Sequence, residues 1–284
     1  MRIPALLFSS LILLPVATVS LAQDTGGKRE DVQIVTSSDW DRVLALYKHS
    51  QGGAERFDGV RVVAFDFTPA IVNEEGVEEE AGTRHVVVLI RPDANEQEVR
   101  TMRIESEIPV PGGAEGETAK IVSLVTAQTV LVWSETAEGD YVPVDARELK
   151  AAAVFDAKGI WAQLDLLLYP DNQDLRCTFS GVMTRDAKRY AAVEAEFRPG
   201  RQVLEPARLY FSAVSSLVER IDVFDPKTHL RTATTYLEEY TDHDGVKVPH
   251  YLRFVDRRAR PLGSWRLSNI ELNPKLTEQV FTKP

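Results

Sequence analysis

Cysteine is almost absent. Cys177 stands alone among 284 residues, so no internal disulfide framework and no Cys-cluster zinc site can form. Basic charge is also scarce: Lys plus Arg number 33 against 43 for Asp plus Glu, a net charge of −10. A chain this acidic does not depend on general attraction to nucleic-acid phosphate, and it lacks the polybasic character that holds proteins to anionic membranes. Nucleic acid is therefore not an expected partner. Beyond residue 22 no stretch is apolar enough to span a bilayer, which needs ~20 apolar residues, so an integral membrane protein is not expected either. Catalytic signatures are missing as well. There is no GxSxG, HExxH, P-loop or dinucleotide-binding fingerprint, so no enzyme activity, catalytic residue or cofactor is expected. Carboxylate pairs such as Glu238-Glu239 are unremarkable in so acidic a chain.

The histidines are His49, His85, His229, His243 and His250. His243 and His250 flank one hairpin together with Asp242 and Asp244, but their spacing matches no zinc motif. Asp242–Gly245 resembles part of a calcium loop without its closing Glu, since Tyr251 and Leu252 occupy that place. The segment reads as a turn, and no metal site is expected.

The N-terminus carries the first positive signal. Arg2 precedes an apolar run that ends in Ser20-Leu21-Ala22. A short basic region, an apolar core and small residues before a cut constitute a secretory signal. Pro15 and the shortness of the run argue against a membrane anchor. Residues 1–22 are thus expected to be removed, leaving residues 23–284 as a single exported domain, soluble in the periplasm.

In that remainder, Trp40, Val43, Leu44 and Tyr47 recur at helical spacing behind Ser37-Ser38, and Gly52-Gly53 ends the helix. Short strands follow: Val60–Phe67, His85–Arg91, Glu98–Ser106, Ile121–Ala127 and Val130–Ser134. Glu74–Gly82 and Pro109–Gly116 read as loops. Asp145-Ala146-Arg147-Glu148 is a capping box, followed by helical spacing to Gly159 and a second helical run from Ile160 to Tyr169, stopped by Pro170. Strands then resume: Tyr190–Phe197, Arg208–Ala213, Leu217–Phe224, Leu230–Tyr240, Val246–Val255 and Ser264–Leu272. His243-Asp244-Gly245 signals a tight hairpin with Gly at positive φ. The fold class expected is mainly β (α+β). One large curved antiparallel sheet forms an incomplete barrel, and helical segments form a lid over its apolar concave face.

Such a lid leaves room for an apolar ligand. The alternating apolar residues of the strands nominate Phe65, Phe67, Trp133, Leu252 and Phe254 for the concave wall. Trp161, Leu164 and Leu168 are nominated for the lid.

The C-terminal fifty residues add a family resemblance. Asp244-Gly245-Val246-Lys247-Val248-Pro249 is followed by Tyr251–Asp256, then by Trp265 to Asn273-Pro274, and the chain closes with Val280-Phe281-Thr282-Lys283-Pro284. This order is similar to the ending of the LolA/LolB-like superfamily. Val130–Trp133, Tyr141 and the segment Leu149–Tyr169 are similar to its strand and helical lid. The resemblance implies a half-barrel that binds acyl chains or lipidated proteins in the periplasm, with a role like outer-membrane lipoprotein sorting. Arg147 lies near the region of that family's lid-latching arginine but matches no motif. The alternative is a sensory or interaction module of the same fold, which detects envelope lipids or mislocalised lipoproteins through an envelope protein partner.

Overall fold

The computed structural model describes residues 37–284 apart from 74, 92–99, 110–117, 127–128, 137, 145–159, 161–162, 165, 172–174, 198–204, 277–279 and 283. The expected signal segment and capping box, Arg147 and Trp161 lie outside the described residues.

The helix read from the Trp40 pattern is α1 (Ser37–Ser50). Val43 and Tyr47 are buried, and Trp40 packs on the same core. Gly52 and Gly53 end it at φ of 85° and 104°, a conformation that costs glycine little. The short helix α2 (Ala54–Asp58) follows and inserts Phe57 into the core. A Cβ on Gly52 would collide with the Gly245 carbonyl oxygen, so the turn after α1 packs directly on a hairpin 190-odd residues away.

The strands are β1 (Val62–Val72), β2 (Glu78–Glu80), β3 (Arg84–Leu89), β4 (Thr101–Pro109), β5 (Thr118–Thr126), β6 (Val130–Glu135) and β7 (Tyr141–Val144) in the first half. The second half supplies β8 (Leu175–Arg185), β9 (Lys188–Phe197), β10 (Ala207–Ser212), β11 (Val218–Phe224), β12 (Arg231–His243), β13 (Val246–Asp256) and β14 (Pro261–Leu272). All belong to one 14-stranded sheet in the order β7-β6-β5-β4-β3-β1-β14-β13-β12-β11-β10-β9-β8, with β2 beside β1. Every pairing is antiparallel. β7 and β8 do not pair with each other, so the sheet is curved but not closed into a barrel.

The join between the halves is β1 against β14. Asn273, at φ 49°, secures it. Its side-chain oxygen accepts from the backbone N–H groups of Arg61 (2.8 Å) and Val62 (3.1 Å), and its amide donates to the Gly59 carbonyl (2.8 Å). Asn tolerates the left-handed conformation better than most residues.

Three strands were not anticipated. β2 forms within the acidic loop, where three exposed glutamates pair with Ala70–Val72. β7 is four residues long. β8 is an edge strand whose alternation is interrupted by a bulge between Phe179 and Gly181. An inserted residue reverses which face the next side chains point to, so no single period of two runs through it. β12 also runs three residues past its expected end. The tight turn is Asp244-Gly245 alone, both at positive φ (52° and 89°), closed by the His243–Val246 pair. That is the backbone a two-residue hairpin of the primed type demands.

Candidate functional site

The concave face is apolar because of register. Directly paired residues in an antiparallel sheet share a face. Val63, Phe65 and Phe67 on β1 lie on one face with Val86 and Val88 of β3, and these with Ile104 and Met102 of β4. All are buried in one core cluster. Two covers lie over it. α1 brings Trp40 and Tyr47 against Phe211 of β10, with ring centroids 6.1 and 5.3 Å apart. Described residues 160, 163–164 and 166–168 are helical and form the second cover, with Ile160, Leu164, Leu166, Leu167 and Leu168 buried.

Between this second cover and the sheet is a small apolar cavity, partly open to solvent. Phe65 and Phe67 form its wall on β1; Val248, Pro249 and Leu252 on β13; Trp265 and Leu267 on β14. Ile160, Gln163, Leu164, Leu167 and Leu168 form its roof. Five of the eight residues nominated from sequence are therefore brought together: Phe65, Phe67, Leu164, Leu168 and Leu252. Phe254 stands one ring behind. It meets Trp265 edge-on at 4.7 Å, and Trp265 meets Phe67 at 5.1 Å.

Trp133 does not join them, and its nomination is corrected by the register. Phe65 pairs through Val86, Ile104 and Ser123 to Val132, whereas Trp133 pairs through Val122, Glu105 and His85 to Asp66. Trp133 is thus on the opposite face of the sheet. Its burial alone could not reveal this, because Val130–Trp133 is apolar at every position and period-two reasoning cannot say which parity faces in. Ile160, Gln163, Leu167, Val248, Pro249, Trp265 and Leu267 were missed. Trp265 alternates with Leu267, a signal that was present; Gln163 is a polar residue in an apolar run and gave none.

The far end of the roof is pinned. Tyr47 Oη donates to the Leu167 carbonyl at 2.6 Å, and burial pushes its phenol pKa well up. Arg91 stands at this end. Its guanidinium lies between the Phe57 and Tyr169 rings, 5.2 and 4.7 Å from their centroids. Nη1 donates to the carbonyls of Phe57 (2.7 Å) and Val60 (2.9 Å). Lys48 Nζ bridges Asp58 and Asp171, each at 2.7 Å. Burial works against the Lys48 charge, but the two carboxylates outweigh it and hold its pKa above the ordinary value.

His243 and His250 do meet. Their Nε2 atoms are 2.8 Å apart, the ring planes 14° apart, and Thr241 Oγ1 lies 2.9 and 2.5 Å from the two nitrogens. Near-parallel rings with nitrogen against nitrogen are hydrogen-bonded to each other. Among the described residues, no three His, Cys, Asp or Glu side chains group as a metal site would require. Cys177 is partly buried beside Pro170, and burial raises its pKa to about 12, which keeps it protonated and a poor nucleophile.

Several solved structures share this fold. A DUF1329 family protein from Desulfovibrio piger superposes with a TM-score of 0.56 at 13% identity, over 85% of this chain and 96% of that one. A LolA superfamily protein from Nitrosomonas europaea gives 0.54 at 10% identity, over 86% and 97%. The fold is LolA-like. A putative outer membrane lipoprotein-sorting protein domain from Vibrio parahaemolyticus shares it as well, at a TM-score of 0.52 and 8% identity over 85% and 95% of the two chains. No protein-family model and no curated protein matches the sequence. Among the described residues, no helix is long and apolar enough to cross a membrane.

Proposed function

We propose that this chain is an exported, periplasmic binding protein for lipids or lipidated proteins, with a binding rather than a catalytic role, and that an acyl chain occupies the cavity beneath the helical roof. The observation that carries the reading is the lining: of the twelve described residues around the cavity, only Gln163 and the Trp265 indole bring polar side-chain atoms. An acyl chain gains ~0.8 kcal/mol for each CH₂ it removes from water, so such a groove holds one without a charged clamp. The LolA-like fold and the signal pattern expected from residues 1–22 support a role in lipoprotein sorting.

The test is titration of the delipidated protein with a fluorescent acyl probe with a neutral head, with thermal melts alongside. Wild type should bind. Leu164→Asp should bind at least tenfold more weakly while still melting cooperatively above the assay temperature, because an unpaired carboxylate in the roof is strongly disfavoured. Arg258→Asp, at an exposed turn, should bind as wild type does. If wild type binds no acyl probe, and mass spectrometry of organic extracts of the native protein finds no lipid, the carrier reading falls and a sensory module of the same fold replaces it.

A further inference from the structure

The net charge of −10 conceals one concentration of the opposite sign. It lies at one end of the sheet, on the tips of two neighbouring hairpins. The β11–β12 tip carries Lys227 and Arg231, and the β13–β14 tip carries Arg257, Arg258 and Arg260. Arg231 Nη2 donates to the Arg257 carbonyl at 2.8 Å, which holds the two tips together. The acids on them, Asp225 and Asp256, are committed to their own turns. Asp225 Oδ1 accepts from the N–H groups of Lys227 (2.9 Å) and Thr228 (2.6 Å) and from Thr228 Oγ1 (2.9 Å). Asp256 Oδ1 accepts from the N–H groups of Arg258 (2.7 Å) and Arg260 (2.9 Å), and its Oδ2 pairs with the Arg260 guanidinium. Lys227, Arg257 and Arg258 are exposed, and among the described residues no carboxylate stands within ion-pair distance of any of them.

We infer that these two tips form a docking surface for an anionic lipid membrane, with Lys227, Arg231, Arg257 and Arg258 set against headgroup phosphates. Charge complementarity carries the choice of partner, since cations near an anionic leaflet are attracted within a Debye length of it. Leu230 narrows the choice. Its side chain is 52% exposed beside Arg231. A lipid surface accepts a leucine and cations together, whereas an acidic peptide accepts the cations alone. The acids elsewhere do not cancel the patch, because exposed charges separated by more than ~8 Å are largely screened at physiological ionic strength. The acidic strand β2 pairs with the far side of β1 from β14, two strand spacings or ~10 Å from it. The tips also stand near one end of the cavity wall. Phe254, two residues before Asp256, meets the lining residue Trp265 at 4.7 Å. Docking through the tips brings that end of the wall to the lipid. Its purpose, transfer of an acyl chain, rests on the acyl-binding reading; the docking itself does not.

The experiment is co-sedimentation of the delipidated protein with vesicles of phosphatidylcholine alone, or of phosphatidylcholine with one-third phosphatidylglycerol. Wild type should bind the anionic vesicles at least tenfold more tightly than the neutral ones, and the difference should collapse between ~50 mM and ~500 mM salt. Arg257→Glu combined with Arg258→Glu should lose at least tenfold on the anionic vesicles. The same variant should keep the wild-type melting temperature and acyl-probe affinity, because the turn is held by backbone N–H groups that the substitutions retain. Arg185→Glu, in the exposed β8–β9 turn at the opposite end of the sheet, should bind the vesicles as wild type does. Wild type that ignores anionic vesicles, or binds neutral ones equally well, overturns the inference, as does a double variant that binds as wild type does. Retention on a polyglutamate support without vesicle binding overturns it in favour of an acidic protein partner. Vesicle binding by a protein that takes up no acyl probe leaves the docking surface standing and overturns the acyl-binding reading alone.

Discussion

Single residues settle several features that patterns leave open. Asn273 is one. Its side chain makes three hydrogen bonds to the start of β1, at the point where the last strand meets the first. The Asn-Pro pair that closes β14 is thus a structural clasp, not part of the cavity. His250 is another. Burial first, and then the neighbouring His243, depress its pKa, while Glu239 acts weakly the other way. A histidine whose folded pKa lies below its unfolded value of ~6.5 binds fewer protons when folded. Its contribution to stability is therefore complete above pH ~6.5 and is lost as pH falls through the folded pKa. Thermal melts from pH 7.5 to 4.5 should show a loss of stability that begins near 6.5, and His250→Gln should flatten that part of the profile. An unchanged profile in the variant would assign the acid sensitivity to carboxylates instead.

At the scale of elements, the roof is held at one end. Tyr47 on α1 reaches the Leu167 carbonyl, and Arg91, at the end of β3, packs under Tyr169. Helix α1 therefore does more than cover its own half of the sheet: it anchors the segment that covers the other half. Tyr47→Phe keeps the ring packing against Phe57 and Phe211 but leaves a buried carbonyl without its donor, at a cost of ~1–3 kcal/mol. The expected outcome is a small drop in melting temperature together with faster amide hydrogen exchange at residues 163–168, and little change in β12 or β13. Uniformly faster exchange would mean that the bond supports the whole fold and not the roof. The sequence revealed α1 through its 3.6-residue spacing, and the second helical run through Leu164, Leu167 and Leu168. It did not reveal their connection, because nothing in a helical pattern says which backbone carbonyl a tyrosine 120 positions away will find.

At the scale of the whole molecule, the chain carries a net charge of −10, yet among the described residues no charged side chain lines the cavity. Affinity for a neutral acyl ligand should therefore change less than about twofold between 20 mM and 500 mM salt, since screening acts only on charges. A fall of tenfold or more, measured by the same titration, would reveal a charged clamp outside the lining. The order of strands adds a second consequence. β1 and β14 lie side by side in the middle of the sheet, so the first strand waits for the last. Pairings of such sequence separation carry a high loop-closure cost and fold slowly.

What the sequence determined by itself was the local grammar: the helix behind Ser37-Ser38, most of the strands, the Asp244-Gly245 turn, and the apolar character of Phe65, Phe67, Leu164, Leu168 and Leu252. These follow from periodicity and turn chemistry, which act over a few residues. Tertiary structure alone decided which face of each strand looks inward. Trp133 shows why. Its strand is apolar throughout, so its orientation was fixed by a chain of pairings through β5, β4 and β3 back to Asp66. Tertiary structure likewise decided that Arg91 and Arg100 meet the Tyr169 ring at one end of the roof, and that Leu164 and Leu168 line one cavity with Phe65 and Phe67. Burial is a property of what the rest of the chain brings to a residue, and that information is not carried in the residue's own neighbourhood.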